Sequence, residues 1–134
     1  MSTNEAVALR FFEELWNRGE LAVADELIAL EHVHHVGGHV LSGPGDVKAS
    51  VTWLRTAFPD LRFDIDDLIS GGDIVVLRWT ASGTHLGPFE DLEPTGRHVE
   101  WKGTDWVRLR RGRIVEVWAF ADGDVLLDQL AAGP

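Results

Sequence analysis

The chain has 134 residues, 45% of them hydrophobic, with six Trp, six Phe, no Tyr and no Cys. Its 22 acidic and 12 basic side chains give a formal charge of -10, which argues against nucleic acid or an anionic membrane as partner. Without cysteine there is no disulfide, thiol nucleophile or thiolate metal site, and no run approaches the ~20 apolar residues of a membrane span. The opening MSTNEAVALRFF lacks the basic and apolar regions of a signal peptide, so the expectation is one acidic cytoplasmic domain over residues 1–134.

Ser2-Thr3-Asn4-Glu5 offers N-cap residues and a Ser-x-x-Glu capping box. Ala8, Phe11, Phe12, Leu15 and Trp16 then recur at helical spacing as far as Gly19. A second short helix carries Leu21, Ala24, Leu27 and Ile28 on one face. His32 to Leu41, rich in Val and His and broken by Gly37-Gly38, reads as a short strand or extended segment. Ser42-Gly43-Pro44 opens a third helix, whose stripe is Val47, Val51, Leu54 and Phe58 and whose end is Pro59.

From Leu61 the hydrophobic period becomes two. Ser70-Gly71-Gly72-Asp73 is a turn, Ile74 to His85 a long strand, and Gly87 to Gly96 a loop. His98 to Leu109 and Ile114 to Asp122 form the last two strands around a turn at Gly112, and Val125 to Leu130 a terminal helix. Helices first and a strand meander later predict an α+β fold, a curved antiparallel sheet packed on helices around a pocket.

Alternation along the strands nominates the chemistry. Asp105 shares a face with Val107 and Leu109, away from Lys102, Arg108 and Arg110, which predicts a buried carboxylate. Asp122 shares a face with Trp118 and Phe120, where desolvation raises a carboxyl pKa and suits general acid–base work; its alternative is a turn residue closing the strand. Asp124 reads as the N-cap of the terminal helix. In EHVHHVGGH, His32 and His34 fall on one face and His35 on the other, without the spacing of a metal site. His85 ends a strand holding Trp79 and is read as facing inward or lying at the rim. The aromatic residues Trp16, Trp53, Trp79, Trp101, Trp118 and Phe120 are candidates to line a pocket for a flat apolar ligand.

Taken together, FFEELWNRGELAVADELIA, HVHHVGG, AFPDLRF, TASGTHLGPF, PTGR and the terminal W-x-x-x-D-x-x-x-L-L-x-Q-L resemble the SnoaL-like polyketide cyclase family, of the NTF2-like or ketosteroid-isomerase-like group. The resemblance implies a cone of helices around a curved antiparallel sheet, dimeric through that sheet. It implies a cofactor-free intramolecular aldol condensation on a polyketide-like carbonyl compound, with no metal. By motif it assigns the general acid/base to Asp122 and matches His35, His85 and Asp105 to family positions; Val36 departs from the Asp or Asn common there. Two other readings stay open: an epoxide-hydrolase-like enzyme using Asp105 and Asp122, and a non-catalytic domain sheltering an apolar small molecule.

Overall fold

A computed structural model describes residues 2–131; Met1 and residues 132–134 lie outside the described part. Helix α1 (Thr3–Arg10) starts at the expected capping box, with Ser2 Oγ accepting from the Glu5 N–H and Glu5 Oε1 accepting from the Ser2 N–H. It widens into a π-helical stretch, Phe11–Asn17, which buries Phe11, Phe12, Leu15 and Trp16. A short α2 (Val23–Leu27) leads directly into β1 (Ile28–Val36), and β2 (His39–Ser42) folds back on it. The one short strand or extended segment expected over His32–Leu41 is therefore two paired strands, with Gly37 and Gly38 at positive φ in the turn.

Helix α3 (Gly43–Ala57) carries Pro44 in its first turn and buries Pro44, Val47, Val51 and Ala57. The long meander follows: β3 (Arg62–Gly71), β4 (Ile74–Thr84), β5 (His98–Arg110) and β6 (Arg113–Ala121), then α4 (Gly123–Ala131). The six strands form one curled, unclosed sheet in the order β2-β1-β6-β5-β4-β3, with β1 and β6 parallel and all other neighbours antiparallel. Its inner wall faces α1, the π-helical stretch and α3, and the buried apolar side chains lie between.

Two extra residues decide which side chains face that wall. In β6, Leu109 pairs with Ile114 but Arg108 pairs with Glu116, so Val115 is unmatched. One inserted residue turns the rest of a strand over. Ile114 and Val117 are therefore both buried. In β3, Ile65 pairs with Trp79 and Asp67 with Arg78, leaving Asp66 as the extra residue. Ile65 and Leu68 consequently both oppose inward residues, Trp79 and Leu77. None of the helices among the described residues is long and apolar enough to cross a membrane.

Candidate functional site

Among the described residues, the inner wall holds one buried carboxylate. Asp105, in the middle of β5, is 4% exposed and lies between Leu77 of β4 and Ala119 of β6. Its Oδ1 accepts a hydrogen bond of 3.1 Å from the Trp79 indole Nε1–H. Burial pushes the Asp105 carboxyl up to about 7, and the indole donor, which favours the charged form, opposes that rise. Trp79 reaches Asp105 because its neighbour across the strands is Gly103; a Cβ there would sit 2.3 Å from Trp79 Cζ2. A glycine and a tryptophan one strand apart thus build the environment of the acid.

Two imidazoles share the interior. His32 and His34 are 1% and 3% exposed, with His32 Nε2 and His34 Nδ1 3.4 Å apart. Burial lowers His32 to about 4 and His34 to about 3, so both are neutral at physiological pH. On the inner wall His34 opposes Val117, two residues along β6 from Ala119, the partner of Asp105. Their facing side was legible from alternation; their depth was not.

His85 is fully buried beside Phe58. Its Nδ1 accepts from the Thr95 N–H at 3.1 Å and lies 3.0 Å from Thr95 Oγ1, while Nε2 has no partner among the described residues. The ring anchors the loop from residue 86 to residue 97, whose backbone also pairs with His85 through Gly96 and Arg97.

The remaining expected site residues separate into two groups. Trp16, Trp79 and Trp101 are buried in the core. Trp53 is 45% exposed on α3 and packs on Phe89, so it does not line the interior. The face shared by Trp118, Phe120 and Asp122 is the outer face of the sheet, a correction caused by the unmatched Val115. Phe120 is 61% exposed and Asp122 is exposed, lining a shallow outer hollow with Arg78, Lys102 and Thr104. The Asp122 carbonyl accepts from the Leu126 N–H at the start of α4, and Asp124 sits in its first turn, so the cap position falls two residues earlier than expected. His35 is on this outer side too, 2.8 Å from Glu116 and stacked on Trp118 with ring centroids 5.5 Å apart. The Arg108 guanidinium lies 5.3 Å from the Trp118 ring.

The sequence profile of the SnoaL-like polyketide cyclases matches residues 6–130. The chain belongs to that family. Among solved structures, this SnoaL-like chain is similar to a protein of Jannaschia sp. CCS1 assigned to the same cyclases, at 25% identity and TM-score 0.89 over 98% of this chain and 94% of that one. AclR of Streptomyces galilaeus, assigned as a hydroxylase, is 29% identical with TM-score 0.85 over 98% and 97%. IdmH of Streptomyces antibioticus, assigned as a polyketide cyclase, is 29% identical with TM-score 0.84 over 96% and 99%. No curated sequence matches this SnoaL-like chain. The shared fold is the expected NTF2-like cone of helices on a curled sheet.

Three residues that matter to this geometry were not among the expected site residues: Phe63 and Ile65, legible only as alternating strand positions, and Leu68 of β3. With Leu9 of α1 they form the apolar part of a hollow of about 510 Å³ between helix and sheet edge. The one signal for them was the alternation beginning at Leu61, which Asp66 interrupts.

Proposed function

We propose that this chain is a cofactor-independent enzyme that closes a ring on a polyketide-like carbonyl compound, with Asp105 as general acid/base. The observation that carries the reading is a carboxyl group buried on the inner wall and held by the Trp79 N–H, where burial pushes it up to about 7. Near neutral pH both of its forms are populated, so it can take a proton and return it. The ionised carboxylate removes a proton from carbon alpha to a carbonyl, and the C–H electrons become the enolate. The enolate carbon attacks a second carbonyl carbon, forming the C–C bond and leaving charge on that oxygen. The Asp105 acid then protonates the alkoxide, and the apolar walls hold the chain folded for attack.

Asp122, the acid to which the family resemblance points, stands on the opposite side of the sheet from Asp105, so one ligand pose does not use both. An epoxide-opening reaction needs a second carboxylate beside Asp105, and its cross-strand neighbours are Leu77 and Ala119. Both considerations favour a single acid/base. The reading includes a homodimer through the outer face, where Ile74, Trp106, Trp118 and Phe120 surround a hollow of about 420 Å³. Exposed aromatic clusters of this kind are what subunit contacts bury.

The test uses 5-nitrobenzisoxazole, a carbon acid opened by a buried base, alongside linear poly-β-ketones assayed for ring closure. The expected rate rises with pH through about 7, and Asp105→Asn lowers it by roughly 100-fold or more. Full turnover by the folded Asn variant sinks the proposal.

A further inference from the structure

The hollow between α1 and β3 is lined by Glu5, Leu9 and Glu13 on the helical side and by Phe63, Ile65 and Leu68 on the strand, with Asn17, Arg62 and Asp64 at its margins. At about 510 Å³ it falls within the size range of small-molecule sites. Its floor leads to the acid. Ile65 pairs with Trp79 and Leu68 with Leu77, and Leu77 pairs with Asp105. The Phe63 and Trp79 rings meet edge to face with centroids 4.9 Å apart. The Trp79 indole thus touches both Phe63, which lines the hollow, and the carboxyl group to which it donates, while Leu77 stands beside it between Leu68 and Asp105.

The two ends of the hollow are fastened differently. At one end Asn17 is locked to β3, its Nδ2 donating to the Phe63 carbonyl and its Oδ1 accepting from the Phe63 N–H. At the other end α1 buries only Val7 and Ala8. The rim charges also select. Glu5, Glu13 and Asp64 are acidic, and the one cation, Arg62, is already bonded to Asp64 at 2.7 Å. An anion at this rim meets repulsion with no free basic partner among the lining residues.

We infer that this hollow is the way in to Asp105, that it accepts a neutral, flat, oxygen-bearing molecule rather than a carboxylate, and that the Trp79 indole is the side chain which yields to it. The inference rests on Asp105 being the acid/base. The incoming oxygen takes over the indole N–H as the ring leaves Asp105 Oδ1, so the donor that holds the acid at rest orients the substrate once bound. Trp79 is in this sense a positioning residue, and Leu68 a determinant of size.

The experiment labels the protein with 5-fluorotryptophan, assigns the Trp79 fluorine line with Trp79→Phe, and titrates with 2-naphthol. The expected result is a saturable shift of the Trp79 line, with 2-naphthoate binding weaker by roughly tenfold. Leu68→Trp, which fills the hollow, weakens 2-naphthol by roughly tenfold or more, while Phe120→Ala on the outer face leaves it unchanged. A static Trp79 line, an unchanged affinity in Leu68→Trp, or equal binding of the carboxylate overturns the inference. Asp105→Asn separates the two readings. If it keeps full turnover of 5-nitrobenzisoxazole while the Trp79 line still responds, the acid/base reading falls and the binding route stands. If it abolishes turnover while Leu68→Trp binds normally, the route falls and the acid/base stands.

Discussion

The indole of Trp79 lies over Gly103 and donates its N–H to Asp105, so the acid's environment depends on a missing side chain on its own strand. Alanine at position 103 puts a methyl group 2.3 Å from the indole and 2.6 Å from the Phe120 carbonyl oxygen. Gly103→Ala is expected to cost about 1–3 kcal/mol by overpacking. Urea denaturation measures this, and an unchanged midpoint contradicts the close approach.

Trp79→Phe removes the donor that favours ionised Asp105. The carboxyl then titrates above about 7, because burial remains and its opponent is gone. Carbon-detected NMR of the Asp105 carboxyl is expected to show the rise, and the pH–rate inflection moves the same way. A downward move would mean that the indole acts on the neutral acid.

Stability is expected to depend on pH in two opposed ways. His32 and His34 titrate in the fold at about 4 and about 3 against 6.5 when unfolded, so their contribution is complete above 6.5 and is lost as pH falls. Asp105 titrates at about 7 in the fold against 3.8 unfolded, so its contribution is complete below 3.8 and is lost as pH rises. Between about pH 4.5 and 6 the three groups leave a net slope near one proton, about 1.4 kcal/mol per pH unit, with stability rising with pH. In Asp105→Asn that slope steepens towards two protons, and the variant gains stability over the parent at neutral pH. Denaturant titrations across this range give both slopes; a flatter slope in the variant would contradict the sign.

Charge placed on the outer aromatic face is expected to separate the proposed dimer. Trp106 is 48% exposed and Phe120 61% exposed in the single chain, yet both flank one hollow with Trp118. Trp106→Glu and Phe120→Glu should sediment as monomers with an intact circular dichroism spectrum. A parent that sediments as a monomer at high concentration would remove the dimer from the reading.

His85→Phe keeps a ring beside Phe58 but removes the acceptor of the Thr95 N–H. Exchange of the Thr95 and Gly96 amides should accelerate by roughly tenfold or more, while Val107, deep in β5, stays protected. Unchanged exchange at Thr95 would show that the backbone pairs alone hold the loop.

Much of this architecture was legible along the chain. The capping box at Ser2, the proline-opened α3 and the strand meander are local matters of dihedral preference and hydrophobic period. Alternation also sent Asp105 towards Val107 and Leu109, and placed His34 and His35 on opposite faces. Trp53, Trp118 and Phe120 misled because exposed and buried aromatic residues look alike in a sequence.

By itself the sequence determined that helices precede a meander of strands, and the relative facing of neighbours within each uninterrupted stretch. A period of two has two equivalent settings, however, and only packing chooses between them. The tertiary structure chose through pairing: Val115 and Asp66 find no partner, and each turns the strand beyond it over. That step moved Asp122 to the outside, set Ala119 opposite Asp105, and brought Ile65 and Leu68 against Trp79 and Leu77. The acid's burial, and with it a pKa near 7, is a property of that assembled wall.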